Sequence, residues 1–408
     1  MERIILHADL NNFYASVECV RNPSLWNHPI AVCGDPEARH GIVLAKNQLA
    51  KVCKVKTGDT LWQAKQKCPD ILFVAPHFEL YDQYSKAARE IYGQFTDQVE
   101  PFGLDECWLD VTDSKDLFGS GKIIANTLRD RIRAELGITI SVGVSFNKIF
   151  AKLGSDLKKP DATTVISPNN FRAVVWPLPA NDLLYVGRAT YAKLLQYGIH
   201  TIGDIAGCEP SFLVYLFGKN GQMLWEFANG LDAAPVASAG TLPPMKTIGN
   251  GTTTPRDLVS DEDVRLVLMA LCEKVSARLR EANVVCRTVA VQIRDNQLMT
   301  YERQGPLEFP NRTAQSLLEK AFSLYRQNRP PCPVRSIAVR AVNLETEPQE
   351  QISFLPEITA LQRQESLETA VDSIRHKFGK GSIRKGLILT EESLVEFNPQ
   401  NEYVFTRG

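Results

Sequence analysis

Residues 4–18 read Ile4-Ile5-Leu6-His7-Ala8-Asp9-Leu10-Asn11-Asn12-Phe13-Tyr14-Ala15-Ser16-Val17-Glu18. The mostly apolar run from Ile4 to Ala8 predicts a buried strand, and that strand ends on a carboxylate, Asp9. Burying an acid in an apolar strand is costly unless it is paired or coordinates a cation. Two later stretches carry strand signals of their own. Phe102 to Val111 has a hairpin pattern with Asp105-Glu106 at its middle, and Thr139 to Val144 is a short β-rich run. Between them, Ile123 to Leu136 has helical spacing. Alternating signals over 1–165 predict an α+β fold around one sheet.

If adjacent strands bring Asp9, Asp105 and Glu106 together, they form a compact cluster of hard oxygen donors. Mg²⁺ takes such donors and keeps waters for a phosphate substrate. Two such ions about 3.5–4 Å apart would activate a 3′-hydroxyl and stabilise a leaving pyrophosphate. Spacing alone also fits an exposed acid at a strand end and an ordinary acid pair in a hairpin. The stretch Ser145-Phe146-Asn147-Lys148-Ile149-Phe150-Ala151-Lys152 predicts a helix capped by Ser145 or Asn147, ending before Lys159-Pro160. Lys148 and Lys152 are four apart on one face, and Lys159 lies beyond the helix end. Lysines beside a carboxylate–metal site would suit a triphosphate, and equally a basic helix face is often only solvated. Residues 166–231 read as short helices punctuated by glycine. The turn at Val186-Gly187 opens one of them and offers backbone N–H groups to a DNA phosphate, or is an ordinary helical hairpin.

The small, almost uncharged, proline-containing stretch at 233–246 predicts an extended linker. After it, Ser260-Asp261-Glu262-Asp263 starts a helix with a capping box, and Val264, Val267, Leu268, Leu271, Val275 and Leu279 make its apolar stripe. Strands at about 286–294 and 298–308, a helix at about 312–327 and a strand at 334–343 follow. The order β-α-β-β-α-β predicts a separate domain. Residues 244–346 hold 15 Lys+Arg against 11 Asp+Glu, whereas the whole chain of 408 residues has a net charge of -1. A nucleic-acid surface would therefore be a local patch. The nine cysteines are scattered with no C-x-x-C pair, which excludes zinc-finger spacing and reads as reduced thiols. No apolar run is long enough for a membrane span, and the acidic N-terminal residues do not read as a secretory signal, so a cytoplasmic protein is expected.

Taken together, Asp9 to Glu18, Leu104 to Asp110, and Gly143 to Lys152 with Lys159-Pro160 resemble the Y-family of translesion DNA polymerases, in that family's order and separations. The resemblance covers roughly the first 240 residues well and the later domain by pattern. It implies a multidomain right hand: ferredoxin-like palm at 1–12 and 75–165, small fingers at 13–74, helical thumb at 166–232, linker at 233–246, little finger at 247–346 and a C-terminal tail at 347–408. It implies template-directed, low-fidelity DNA synthesis in repair and damage tolerance, within an SOS-type response. Asp9, Asp105 and Glu106 match the catalytic metal-binding acids, with the Leu10 carbonyl as a further ligand. The implied cofactor is a pair of Mg²⁺ ions, with Mn²⁺ as a substitute. Tyr14 matches the steric gate against ribonucleotides. Phe13, Asn47, Lys51 and Lys159 match nucleotide-binding positions, and Val186 and Gly187 match DNA-binding ones. Gln351-Ile352-Ser353-Phe354-Leu355 looks similar to the bacterial clamp-binding peptide. Primer–template DNA, dNTP and a sliding clamp are the implied partners, with no membrane.

Several positions depart from the family pattern. Ala45, Gln48 and Lys51 stand where many members have Thr, Tyr and Arg that grip the incoming phosphates, and Asn11 replaces a frequent Asp. Ala45, Lys51 and Asn11 look like the UmuC (polymerase V catalytic subunit) branch rather than the DinB (polymerase IV) branch. That branch would bring UmuD-like or RecA-like accessory subunits. Two other readings stand beside it: a different palm-type nucleotidyl transferase such as a cyclase, and a non-catalytic adaptor of the same fold that binds DNA and clamp. Loss of the three acids would mark the adaptor, and all three are present.

Overall fold

The computed structural model describes residues 3–34, 41–241, 245–346, 356–379 and 381–395. The clamp-like peptide Gln351–Leu355 lies outside them. The chain divides into two compact units, the first holding most of the described residues up to 241, the second most of those from 245 onward. The strands are β1 (Ile5–Leu10), β2 (Ile30–Cys33), β3 (Val43–Lys46), β4 (Leu72–Val74), β5 (Val99–Pro101), β6 (Glu106–Asp110), β7 (Ile140–Ser145), β8 (Thr163–Val165), β9 (Thr247–Leu258), β10 (Val284–Asp295), β11 (Thr300–Asn311) and β12 (Val334–Thr346).

The predicted first strand is the centre of a five-stranded sheet ordered β5-β6-β1-β7-β8. Both neighbours of β1 run antiparallel to it, and all six of its residues are buried. Side chains alternate faces along a strand. Leu6, Ala8 and Leu10 face one side, where Leu109, Val142 and Val144 join them against helices Phe78–Gly93 and Gly121–Leu136. Ile5, His7 and Asp9 face the other side, under the helix Lys148–Leu157. Asn147 caps that helix as predicted, its side-chain oxygen accepting from the Phe150 N–H at 2.8 Å.

The helix can lie this close because Gly143 stands opposite His7 in the sheet. A Cβ there would sit 1.8 Å from the Ala151 carbonyl oxygen and 2.5 Å from the Ser155 nitrogen, both backbone atoms. Backbone cannot turn aside as a side chain can, so only glycine allows this contact.

A smaller sheet, β3-β2-β4, has its own core of Ala31, Val43, Ala50, Val55, Ala64, Cys68 and Ile71. Residues 171–228 form the short helices Phe171–Val175, Arg188–Gln196, Ile202–Gly207, Pro210–Phe217 and Lys219–Ala228. Their core includes Ile149, Phe150 and Leu153 of the helix Lys148–Leu157. The stretch read as a linker is extended, but its first part is not free. Val236 is buried with Ile5, Trp108 and Ala151, and the N–H groups of Ala237 and Ala239 donate to Glu100 and to the Asp97 carbonyl. Small side chains let the backbone lie flat enough to reach these acceptors.

In the second unit the order β-α-β-β-α-β is realised as a sheet β11-β10-β12-β9 with helices Asp261–Glu281 and Ala314–Gln327. Ser260 and Asp263 form the expected capping box, and the six residues of the apolar stripe are buried. The segment after β12 packs onto the same unit. In the helix Pro356–Phe378, Glu368 and Asp372 pair with Arg280 at 2.6 Å each, and Glu365 pairs with Arg312 at 2.6 Å. Ile388 and Leu394 then enter the core beside Leu258 and Val264. The role of these residues was not legible in the sequence.

Gly143→Ala should cost about 3 kcal/mol or more by overpacking. Thermal denaturation is expected to show a clear fall in Tm, whereas an unchanged Tm would mean that the helix contact is not held as described.

Candidate active site

Register brings the acids together. Asp9 lies opposite Glu106 on β6 and opposite Ser141 on β7, and the next residue, Leu10, donates its N–H to the Asp105 carbonyl at 2.9 Å. Asp9, Asp105 and Glu106 therefore meet at one end of the two interior strands β1 and β6, with the Leu10 backbone beside them. Gly103, at φ +94, makes the turn that leads into Asp105 and β6.

Each outer acid has a lysine. Lys159 donates to Asp9 Oδ2 at 2.7 Å and also pairs with Asp156 at 2.8 Å. Lys152 donates to Glu106 Oε2. Lys148, expected to share this role, turns away, with its ammonium on Glu100 at 2.6 Å and over the Trp108 ring. Its position four residues before Lys152 puts it on the same helix face but one turn further along, above Trp108 rather than the acids.

Burial pushes the Asp9 carboxyl up to about 7, against the pull of Lys159, and the neighbouring Glu106 and Asp105 push the same way. Burial and then Glu106 also raise Asp105. For Glu106 burial acts upward too, but the His7 ring and Lys152 together bring it down to about 2. Lys159 is raised by its two acids despite its burial. The site thus crowds negative charge into a low-dielectric space and answers it with ammonium groups.

Among the described residues no group of three or more His, Cys, Asp or Glu side chains is gathered into a ready metal cage. The donor set nevertheless fits Mg²⁺, which is bound by one or two carboxylates together with substrate phosphates and water. Burial is the main cause of the raised carboxyls of Asp9 and Asp105, and a bound cation would favour their charged forms.

Tyr14 stands at the start of the helix Phe13–Arg21, half-buried, and stacks on Tyr81 with ring centroids 4.3 Å apart and planes 11° from parallel. Tyr81 in turn donates to Glu18 at 2.5 Å, and Glu18, only 1% exposed, also takes His77 Nδ1 at 2.9 Å. Sequence reading missed this support. The i, i+4 spacing of Tyr14 and Glu18 was its only local signal.

The structure turns the side chains of two expected nucleotide contacts inward. The Phe13 ring is 3% exposed within the core, so only its backbone can face a ligand. The Asn47 carboxamide is 8% exposed and turned inward. Its oxygen accepts from the Ala50 and Ile30 N–H groups at 3.1 Å, and its nitrogen donates to the His28 carbonyl at 2.7 Å. It ties β2 to the helix Gln48–Val52 instead of pointing at solvent. Lys51 on that helix is exposed. Asn11 is also structural, binding Ser141, Thr139 and the Asp161 N–H. Val186 is buried, and the exposed Gly187 caps the helix Arg188–Gln196.

The chain matches the impB/mucB/samB family over residues 8–156 and that family's C-terminal domain over 245–354. A DNA polymerase IV of Acetivibrio thermocellus is 50% identical over 396 residues, covering 97% of this chain and 99% of its own. The chain belongs to the Y-family of DNA polymerases. A Clostridium acetobutylicum DNA polymerase IV is 34% identical over 96% of this chain and 100% of its own. A solved Y-family DNA polymerase chimera shares the fold at TM-score 0.76 and 23% identity, over 84% of this chain and 100% of that one. The relatives carry the polymerase IV name, which favours the DinB type. The UmuC-branch reading of Ala45, Lys51 and Asn11 finds no support in them. Asn11 is explained by its hydrogen bonds. No helix among the described residues is long and apolar enough to cross a membrane.

Tyr81→Phe should leave the buried Glu18 carboxylate without its strongest neutral donor and cost about 2 kcal/mol. Thermal melting checks this.

Proposed function

We propose that this protein is a template-directed DNA polymerase for damaged templates, extending a primer with dNTPs at low fidelity. Its observation is the meeting of Asp9, Asp105 and Glu106 at one end of the strands β1 and β6, with Lys159 on Asp9. As a Y-family member the chain is a metal-dependent nucleotidyl transferase acting on primer–template DNA. The palm is assigned to 1–12 and 75–165, the fingers to 13–74, the thumb to 166–232 and the little finger to 247–346.

In the reaction the primer 3′-oxygen attacks the α-phosphorus of the dNTP. A new P–O bond forms, the bond to pyrophosphate breaks, and the hydroxyl proton leaves to water. Asp9, Asp105, Glu106 and the Leu10 carbonyl are the groups that would hold Mg²⁺, or Mn²⁺ in its place. When bound, these ions supply charge stabilisation of the attacking and leaving oxygens. The other duties fall to side chains. Lys159 and the exposed Lys51 offer ammonium charge to the triphosphate. The Tyr14 ring, backed by Tyr81, cannot yield to a 2′-hydroxyl, so it rejects ribonucleotides by clash. Gly187 at the start of its helix gives backbone N–H groups to a DNA phosphate, which holds without reading sequence. Gln351–Leu355 is assigned to a sliding clamp, with Ile352, Phe354 and Leu355 as apolar anchors.

The test is primer extension with Mg²⁺ and dNTPs, comparing wild type with the Asp105→Ala, Glu106→Ala double variant. The variant should lose at least about 10³-fold, the equivalent of several kcal/mol of charge stabilisation. Wild type that binds primed DNA without extending it, clamp present, would point to the adaptor. Tyr14→Ala should raise ribonucleotide incorporation by roughly tenfold or more, measured as the ratio of kcat/KM for rNTP and dNTP.

A further inference from the structure

The least expected polar group in the first unit is His7. It is wholly buried in the middle of β1, on the same strand face as Asp9. Both ring nitrogens have a neighbour. Nε2 lies 3.1 Å from Glu106 Oε2, and Nδ1 lies 2.8 Å from Ser155 Oγ. The ring is fixed on its other side by the edge of Trp108, centroid to centroid 5.3 Å. Ser155 is itself buried and sits on the helix that Gly143 admits to the sheet.

A neutral imidazole has one N–H. A bare lone pair on Nε2 would repel the carboxylate it faces, so the proton belongs on Nε2 and the ring donates to Glu106. Nδ1 then accepts from the Ser155 hydroxyl, which can turn between it and the Lys152 carbonyl 2.7 Å away. At 3.1 Å the Nε2–Oε2 pair is within reach but not aligned as a hydrogen bond, so Nε2 has no formed partner here, and contacts of this kind often align only once substrate binds.

His7 and Lys152 both reach the same oxygen of Glu106, Oε2. Among the described residues no side chain hydrogen-bonds to Oε1. We infer that His7 is a positioning residue for the polymerase reaction: with Ser155 behind it, it ties Glu106 Oε2 to the protein so that Oε1 is presented toward Asp9 and the cation. This rests on the polymerase reading. Outer partners that orient a metal-binding group are general, and removing one typically costs 10–100-fold in metal affinity or activity.

The variants are His7→Leu, which removes both ring nitrogens, and His7→Gln, whose amide N–H can reach the place of Nε2–H. Three quantities are read: steady-state kcat and KM for dNTP, Mn²⁺ affinity without substrate by electron paramagnetic resonance of free Mn²⁺, and the His7 tautomer in wild type by ¹⁵N–¹H correlation. His7→Leu is expected to lower kcat and Mn²⁺ affinity by about tenfold or more with KM within about twofold, and His7→Gln to regain most of both. Wild type is expected to carry the proton on Nε2. An Nδ1–H tautomer, or a leucine variant with wild-type kcat and Mn²⁺ affinity, would overturn the assignment, as would glutamine and leucine variants that fall equally. Wild type that fails to extend a primer would sink the polymerase reading, while the tautomer and Mn²⁺ binding would still decide whether His7 orients Glu106. Should His7→Leu not fold, the tautomer in wild type and the glutamine variant decide alone.

Discussion

The central strand of the first unit buries a carboxylate, and much of the surrounding structure answers that cost. Asp9 sits at the end of β1 in a space where its own charge is disfavoured, with Asp105 and Glu106 adding to the strain. An ion there has to be met by opposite charge or by a bound cation. The helix Lys148–Leu157 and the turn after it bring Lys152 and Lys159 to do so, and they reach the sheet only because Gly143 has no side chain. One bare backbone position therefore sets the distance from which both ammonium groups, and Ser155 behind His7, approach the acids.

The two faces of the sheet divide the labour by chemistry. One face is apolar and carries the packing of helices Phe78–Gly93 and Gly121–Leu136. The other takes His7, Asp9 and Ser141, which the helix Lys148–Leu157 and the turn after it cover. The same economy appears beside the site, where a buried glutamate holds Tyr81 and Tyr81 holds the Tyr14 ring. In the gate role proposed for Tyr14 a rigid ring serves better than a mobile one, since a clash excludes only if the wall cannot move. In the second unit the helix Pro356–Phe378 is fastened by partly buried arginine–carboxylate pairs, and Glu368 also accepts from the Ala314 N–H that starts the helix Ala314–Gln327. Capping a helix and pairing an arginine with one carboxylate makes the C-terminal segment part of that unit's core.

Period and capping carried the sequence reading far. The apolar run before Asp9, the helical stripe from Val264 to Leu279 and the capping box at Ser260 are local patterns, and local sterics and hydrogen bonding suffice to produce them. So the α+β class, the order β-α-β-β-α-β and the candidate acids could be read directly. His7 was also within reach, since the two-residue period places it on the face of Asp9, but a lone buried histidine carries no pattern of its own. The inward turn of Asn47, the departure of Lys148 toward Glu100 and the docking of Val236 could not be read. Each depends on partners dozens of residues away in sequence.

The sequence by itself determined which residues could be strands and helices and which acids would have to be neutralised. Those properties follow from backbone sterics and the cost of burying charge. Only the tertiary structure decided which lysine meets which acid, that His7 rather than a lysine alone braces Glu106, and that the last described residues belong to the second core. Strand register and the closest helix–sheet approach set these pairings, and both are fixed by packing over the whole domain.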